Sequence, residues 1–483
     1  MKKKIDGGDS RKLGLGALTA IVFGMMVGSG LYNIPQNLAA GAGPGAVALS
    51  WVITAAGMLL LVATFKILSG RHPELDAGIY QYAQVGFGNF AGFNIAWGYW
   101  LCTAFANVAY AVMLNDSFGA FFPVFMRHGW QTLVFGTVLI WSMFFIVAGG
   151  MRTAKFLNNL LAVIKIAAIV LVVVLLVINV KAGVFSLNFS EEQASGVSVW
   201  SQVKRTMMVT LWCFIGIEGA VMMSARAKKA SDVGKAGIFG FLIAWVLYVL
   251  VSMLCYGVMS RARLSGLHDP SVAYVLRDIC GGWAYYFVIV SVIVSLLGGW
   301  LAWTLVCAQV PHEAAIVKIF PKSFLRLNRH GMPGYGLFVS SVVMQAFLVM
   351  VMMADDVYMA ALTITGMMVL PAYLSGGMYL WKISMSRSEM AVSSRGTRVR
   401  CLITGIFCTL YCLWMIYAGG VRLFMLTSVF YIAGSGFYLK ARAQRKAEGT
   451  LKFTRADCMT LILLATGIAV SVYMVLIRRE TII

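Results

Sequence analysis

Two short interruptions carry the chemistry of this 483-residue sequence. Gly28, Ser29 and Gly30 break one apolar run near its middle, and Gly216, Ile217, Glu218 and Gly219 break another. A helix that stops in apolar surroundings leaves its first N–H and last C=O groups without intrahelical partners. The N-terminal end carries a partial positive charge and suits a carboxylate, whereas freed carbonyls suit an ammonium group. A half-helix starting near Leu31 therefore points the amides of Ser29 and Gly30 at an anion, and the carbonyls freed at 215–219 face a cation. Together the two breaks make a site for the α-carboxyl and α-amino groups of an amino acid.

Four other side chains belong to the same chemistry. Of 18 acidic residues, Glu218 alone lies deep in an apolar run. An ionisable group there costs at least about 2.5 kcal/mol and normally faces a cavity or a partner. It either pairs with a cationic substrate or exchanges a proton with it, and the bland alternative is a protonated acid bonded across helices. Lys165, in NNLLAVIKIAAIVL, is the basic residue deep in a span, too deep to snorkel comfortably. Holding two spans together, proton coupling and packing are its open roles. Trp212 and Trp300 lie mid-span, where interfacial anchoring fails. A cation–π platform for a guanidinium, worth about 2 kcal/mol when desolvated, is the sharper reading and core packing the blander one.

The elements that must position these residues are membrane helices. The chain is 60% hydrophobic and 12% charged, with a mean hydropathy of +0.83, which a soluble chain of this length does not show. Apolar runs of about 18 residues or more fall at 14–42, 44–69, 88–114, 131–149, 155–180, 203–225, 236–259, 283–309, 335–354, 357–381, 400–418, 420–439 and 457–477. The expected fold is an all-α polytopic membrane protein of 12 to 13 transmembrane helices. A net charge of +21 invites a nucleic-acid partner, but 28 of the 39 Lys and Arg fall on one side of the span pattern, with Lys165 inside it. By the positive-inside rule that side, with the N-terminus, is cytoplasmic. The charge is topology and no nucleic-acid partner is expected. The basic tail and first span do not read as a cleaved leader, because the apolar stretch is long for one.

Nine scattered cysteines without a CxxC pair predict neither disulfide nor zinc, and no metal or other cofactor is expected. Glu74 and Asp76, in the loop RHPELDAGIYQYA, have no nucleophile near them in sequence and read as a turn or gate. His72, His128, His268, His312 and His330 are scattered loop residues without an assigned role.

Two glycine-broken helices five spans apart are the pattern of corresponding positions in two five-span repeats. An odd number of spans inverts the second copy, the arrangement of secondary transporters that bind substrate at discontinuous helices near the bilayer midplane. The organisation expected is a cytoplasmic tail over 1–13, a first repeat over 14–180, an inverted second repeat over 203–381 and additional spans over 400–477.

The segment GSG followed by Pro35 and Asn37, then WCFIGIEG in span six and LLGGWLAWTLVCAQ in span eight, resembles the amino acid, polyamine and organocation transporter superfamily. Within it the chain is similar to the basic amino acid antiporters, the arginine/agmatine and arginine/ornithine exchangers, over roughly residues 10 to 440. The resemblance implies that Gly28, Ser29 and Gly30 form the carboxylate loop. It makes Trp212 the aromatic lid on the guanidinium, with Cys213 beside it, and gives the Ile215 carbonyl to the α-amino group. Glu218 matches the acid proposed to sense protons or shape a gate. In span three, Tyr99, Cys102, Thr103, Asn107 and Tyr110 align with gate or pocket positions; Trp300 matches the second aromatic and Thr365 a polar side-chain contact. In some relatives a span-five lysine stands where others hold sodium, a place that Lys165 matches. Two departures bear on the countersubstrate: Met25 replaces an asparagine and Tyr110 a methionine.

The function implied is an alternating-access exchanger of arginine for agmatine or, alternatively, for ornithine or lysine, in a bacterial cell membrane and as a homodimer. A proton-coupled amino acid symporter without strict exchange is the runner-up. A membrane enzyme lacks paired acids, HxxxH or a Ser-Lys dyad at membrane depth, and a channel lacks a polar ring or loop filter.

Overall fold

The computed structural model describes residues 13–28, 30–75, 77–127, 129–181, 197–222, 227–353, 357–386, 394–445 and 455–476. Ser29, Asp76 and His128 lie outside them. Among the described residues the chain is helical, with one isolated bridge between Leu13 and Ala227.

The first apolar run forms α1 (Leu15–Met26) and α2 (Gly30–Gly41), bent by 47°. There follow α3 (Pro44–Arg71), a short α4 (Tyr80–Phe87), α5 (Asn89–Gly119), α6 (Trp130–Ala148) and α7 (Met151–Ile178). The second broken run gives α8 (Val199–Trp212) and α9 (Gly219–Met222), then α10 (Ala230–Tyr256). Two short helices, α11 (Arg261–Ser265) and α12 (Ser271–Cys280), lead into α13 (Gly282–Ile316), α14 (Gly334–Val351) and α15 (Val357–Met385). The chain continues as α16 (Arg395–Gly419), α17 (Val421–Leu426), α18 (Ser428–Ala433), α19 (Ser435–Gln444) and α20 (Arg455–Leu476).

Ten of these stretches are long and apolar enough to cross a membrane, eleven with the bent α1–α2 pair. The thirteen runs expected from sequence exceed that count for local reasons. Run six is cut into two pieces that are each too short, and the apolar part of run thirteen, Asp457–Tyr473, is short as well. The chain is thus an integral multi-pass membrane protein.

Burial separates the helices by role. The apolar window of α5 is 94% buried, against 28% for α6 and α7, so α5 is the central post and the other two face lipid. It packs against α13 and α15, while α1 packs against α10. A hydroxyl ladder ties α8 to α3: Ser50 pairs with Thr206 and Thr54 donates to Thr210, each at 2.8 Å. Such bonds satisfy polar groups that lipid cannot. Arg261 donates to the Ala39 carbonyl at 2.9 Å and Tyr256 to that of Ala42 at 3.0 Å, seating the far end of α2.

Candidate substrate-binding site

α1 ends at Met26, Val27 is extended, and α2 begins at Gly30. The second break is wider than the glycines alone suggest: residues 213–218 form turns between α8 and α9. Gly216 has φ +109°, a region that L side chains rarely adopt. A Cβ built there would stand 2.9 Å from that of Met25 and against its backbone. The two breaks therefore touch, and glycine is what permits it.

Irregular backbone at membrane depth needs protein partners for its polar groups, and here they are visible. Lys165, 4% exposed, reaches from α7 and donates to the carbonyls of Val27 at 2.6 Å and Gly24 at 3.2 Å. Tyr248 donates to the Met26 carbonyl at 2.8 Å. At the other break the fully buried Glu218 accepts from Tyr99 at 2.5 Å, Tyr373 at 2.7 Å and the Gly216 amide at 3.2 Å.

Between the breaks lies a cavity of about 20 Å³, room for little more than a water. Met25, Met26 and Gly30 form its span-one wall, Trp212 and Ile215 its span-six wall. Ala106 and Tyr110 of α5, Tyr248 of α10 and Trp303 of α13 close it. Among these lining residues none is acidic. Binding an amino acid here requires the walls to move apart, and a cationic side chain would meet aromatic faces rather than a counter-charge.

The residues singled out in the sequence divide into three groups. Gly30, Tyr110, Trp212 and Ile215 share the cavity, and Gly28 lies against it, since a Cβ there would stand 2.8 Å from the Tyr110 hydroxyl. Tyr99 and Glu218 form a separate knot with Tyr373. The others are buried nearby without lining the cavity. Thr103 donates to Trp100 at 2.7 Å, Thr365 to Ala361 at 2.7 Å and Cys213 to Val209 at 3.1 Å, each a bond within its own helix region. Cys102 is fully buried. Asn107 donates to Thr103 at 2.9 Å, while its Oδ1, like the Trp300 indole nitrogen, has no partner among the described residues.

Trp300 is expected from the sequence to be the second aromatic of the pocket, yet Trp303 lines the cavity in its place. Three residues apart, they lie on one side of α13, about 4.5 Å apart along its axis. Tyr373, Tyr248 and Trp303 were not singled out by the sequence. Trp303 carried a signal, its spacing from Trp300; the two tyrosines carried only their mid-span position.

Among the described residues Glu74 pairs with His72 at 3.0 Å in the exposed loop, as a turn would.

The family model for amino acid permeases matches residues 13–434. The chain is 38% identical over 469 residues to an arginine/agmatine antiporter of Chlamydia caviae, covering 95% of this chain and 96% of that one. It is 40% identical over 448 residues to an arginine/agmatine antiporter of Chlamydia pneumoniae, covering 91% and 92%. Among solved structures it resembles MhsT in complex with L-phenylalanine, with a TM-score of 0.55 at 15% identity over 83% of this chain and 98% of that one. It also resembles a manganese transporter mutant of Eremococcus coleocola, with a TM-score of 0.55 at 15% identity over 99% and 98%. These two share the fold alone.

Proposed function

The chain belongs to the amino acid permease family, and from that premise we propose that it is a secondary active transporter exchanging arginine for agmatine by alternating access. The observation that carries the reading is the meeting of two broken helices at one aromatic, acid-free cavity. The α2 N-terminus supplies amides for a carboxylate. The Ile215 segment supplies backbone for an α-amino group, and Trp212 an indole face for the guanidinium, worth about 2 kcal/mol when desolvated. Relatives at this identity named arginine/agmatine antiporter support the substrate pair.

In this reading α1–α7 and α8–α15 are the two inverted repeats, with α16–α20 added, in a homodimer of the bacterial cell membrane. The N-terminus is cytoplasmic, because the basic loops gather on its side. Lys165 supplies a cation at the carbonyl end of α1, where a sodium ion would otherwise sit. Glu218, bonded to one residue from each of α5 and α15, forms a gate.

A second reading, exchange for ornithine or lysine, is favoured by the two departures at Met25 and Tyr110, both of which line the cavity. Counterflow separates the readings. Vesicles holding purified protein are preloaded separately with arginine, agmatine, ornithine, lysine or putrescine, and entry of labelled arginine is followed. Arginine and agmatine inside should drive uptake. Rapid uptake into vesicles with no internal substrate would replace the exchanger with a proton-coupled symporter. Trp212→Leu should abolish exchange, and an unchanged rate would remove the cation–π platform.

A further inference from the structure

The corner of the cavity where α2 begins is richer in hydrogen-bond donors than backbone amides alone make it. The Tyr110 hydroxyl, carried on the central α5, lies close to Gly28 in the span-one break and to Gly299 of α13. A Cβ built on Gly28 would stand 2.8 Å from it and one on Gly299 3.2 Å from it. Tyr110 is almost wholly buried and yet lines the cavity. Trp303 lines the same cavity. An indole nitrogen can only donate, so neither tryptophan of the cavity can take the phenolic proton by its N–H. On the opposite side, the Trp212 indole nitrogen would stand 3.3 Å from a Cβ on Gly30.

We propose that Tyr110 is a specificity-determining residue whose phenolic O–H donates to the substrate α-carboxylate at the start of α2. A phenol is a donor that a methionine or phenylalanine in its place cannot be. Its neighbours at this corner, Gly28, Gly30, Trp212 and Trp303, bring no competing anion. A substrate with a carboxylate gains a charge-assisted bond here, shorter and stronger than a neutral one; a decarboxylated amine gains nothing from it. Tyr110 thus biases the site toward amino acids over amines, which bears on the choice between agmatine and ornithine as countersubstrate.

The inference rests on the proposed binding of cationic amino acids. Its test is binding of arginine, arginine amide and agmatine to purified wild-type, Tyr110→Phe and Trp303→Phe proteins by calorimetry, with thermal unfolding in parallel. Tyr110→Phe should weaken arginine about tenfold or more, the range for losing a bond to a charged group. Agmatine and arginine amide should keep their wild-type affinities. Trp303→Phe, which leaves the phenol in place, should keep the wild-type preference for arginine over arginine amide and agmatine. Equal weakening of all three ligands, or arginine binding unchanged in Tyr110→Phe, would overturn the role. Agmatine binding at wild-type strength shows that a variant has folded. Wild-type protein that binds none of the three would instead remove the cationic-substrate reading itself.

Discussion

The ammonium of Lys165 lies 2.6 Å from the carbonyl oxygen of Val27, closing the end of α1 from a neighbouring helix. A second carbonyl of the same turn, that of Gly24, lies at 3.2 Å. The last turn of a helix carries a partial negative charge that a cation stabilises. In an apolar interior those carbonyls have no water to turn to. One side chain thus holds the shape of the break without lining the cavity.

Lys165→Met keeps an unbranched side chain only one atom shorter and removes its charge. Two buried carbonyls then lose their donor, at about 1–3 kcal/mol for an unsatisfied group. We expect a clear fall in unfolding temperature in detergent and near-complete loss of arginine exchange. Wild-type exchange should be indifferent to replacing sodium by choline. A sodium requirement would show that the lysine does not serve in the ion's place.

Glu218 accepts from the hydroxyls of Tyr99 and Tyr373 and from the Gly216 amide. It joins α5, α15 and the span-six break without lining the cavity. Changes here should therefore alter how readily the break moves more than how tightly substrate sits. Tyr373→Phe should change the maximal exchange rate severalfold, with the half-saturating arginine concentration little altered. A large change in the latter alone would place the carboxyl in direct contact with substrate.

Gly216 and Gly219 look equivalent in the motif GIEG, but their surroundings separate them. At Gly216 a methyl meets the backbone of Met25, and its φ of +109° is itself strained for any side chain. At Gly219 the obstacle is the Met25 sulfur, 2.6 Å away at the flexible end of a side chain. Gly216→Ala should cost more than the roughly 1–3 kcal/mol of a strained conformation alone and prevent folding or exchange. Gly219→Ala should leave a folded, active transporter after a rotation of Met25. Fluorescence-detected gel filtration and arginine counterflow on both variants would decide; equal tolerance would mean that the two breaks do not touch.

The two breaks were legible because glycines and polar residues at membrane depth violate the pattern of their surroundings. Glu218 and Lys165 were legible for the same reason, since charge in an apolar run demands a partner. The partners were not legible. Val27 contributes a carbonyl, which every residue has, and Tyr373 is one mid-span tyrosine among several. Trp300 and Trp303 are both mid-span tryptophans of one helix, and sequence alone does not say which of them lines the cavity. Likewise, the residues of the first break could be named from their composition, whereas the closeness of Tyr110 to Gly28 depends on how α5 packs against α1. Long-range packing, not local preference, decides which of several suitable side chains reaches the site.

Asp457 is a second fully buried acid, and its position at the start of the last apolar run hid it among loop charges. Its carboxylate accepts from the Phe90 amide at 2.8 Å, capping the first turn of α5 from far along the chain. Arg445, also buried, donates to the Ala315 carbonyl at 2.8 Å in the last turn of α13. Each charge matches the end of the helix it meets, negative at an N-terminus and positive at a C-terminus. These helices carry Tyr110 and Trp303, so the C-terminal spans clamp the two posts that frame the cavity. Asp457→Ala should lower stability by about 1 kcal/mol or more, the worth of a cap. Asp457→Asn, which keeps an oxygen acceptor, should cost less. Because neither Asp457 nor Arg445 lines the cavity, the ratio of arginine to agmatine affinity should stay at its wild-type value in both. A changed ratio with unchanged unfolding temperature would mean that the clamp acts on substrate choice rather than on the rigidity of the frame.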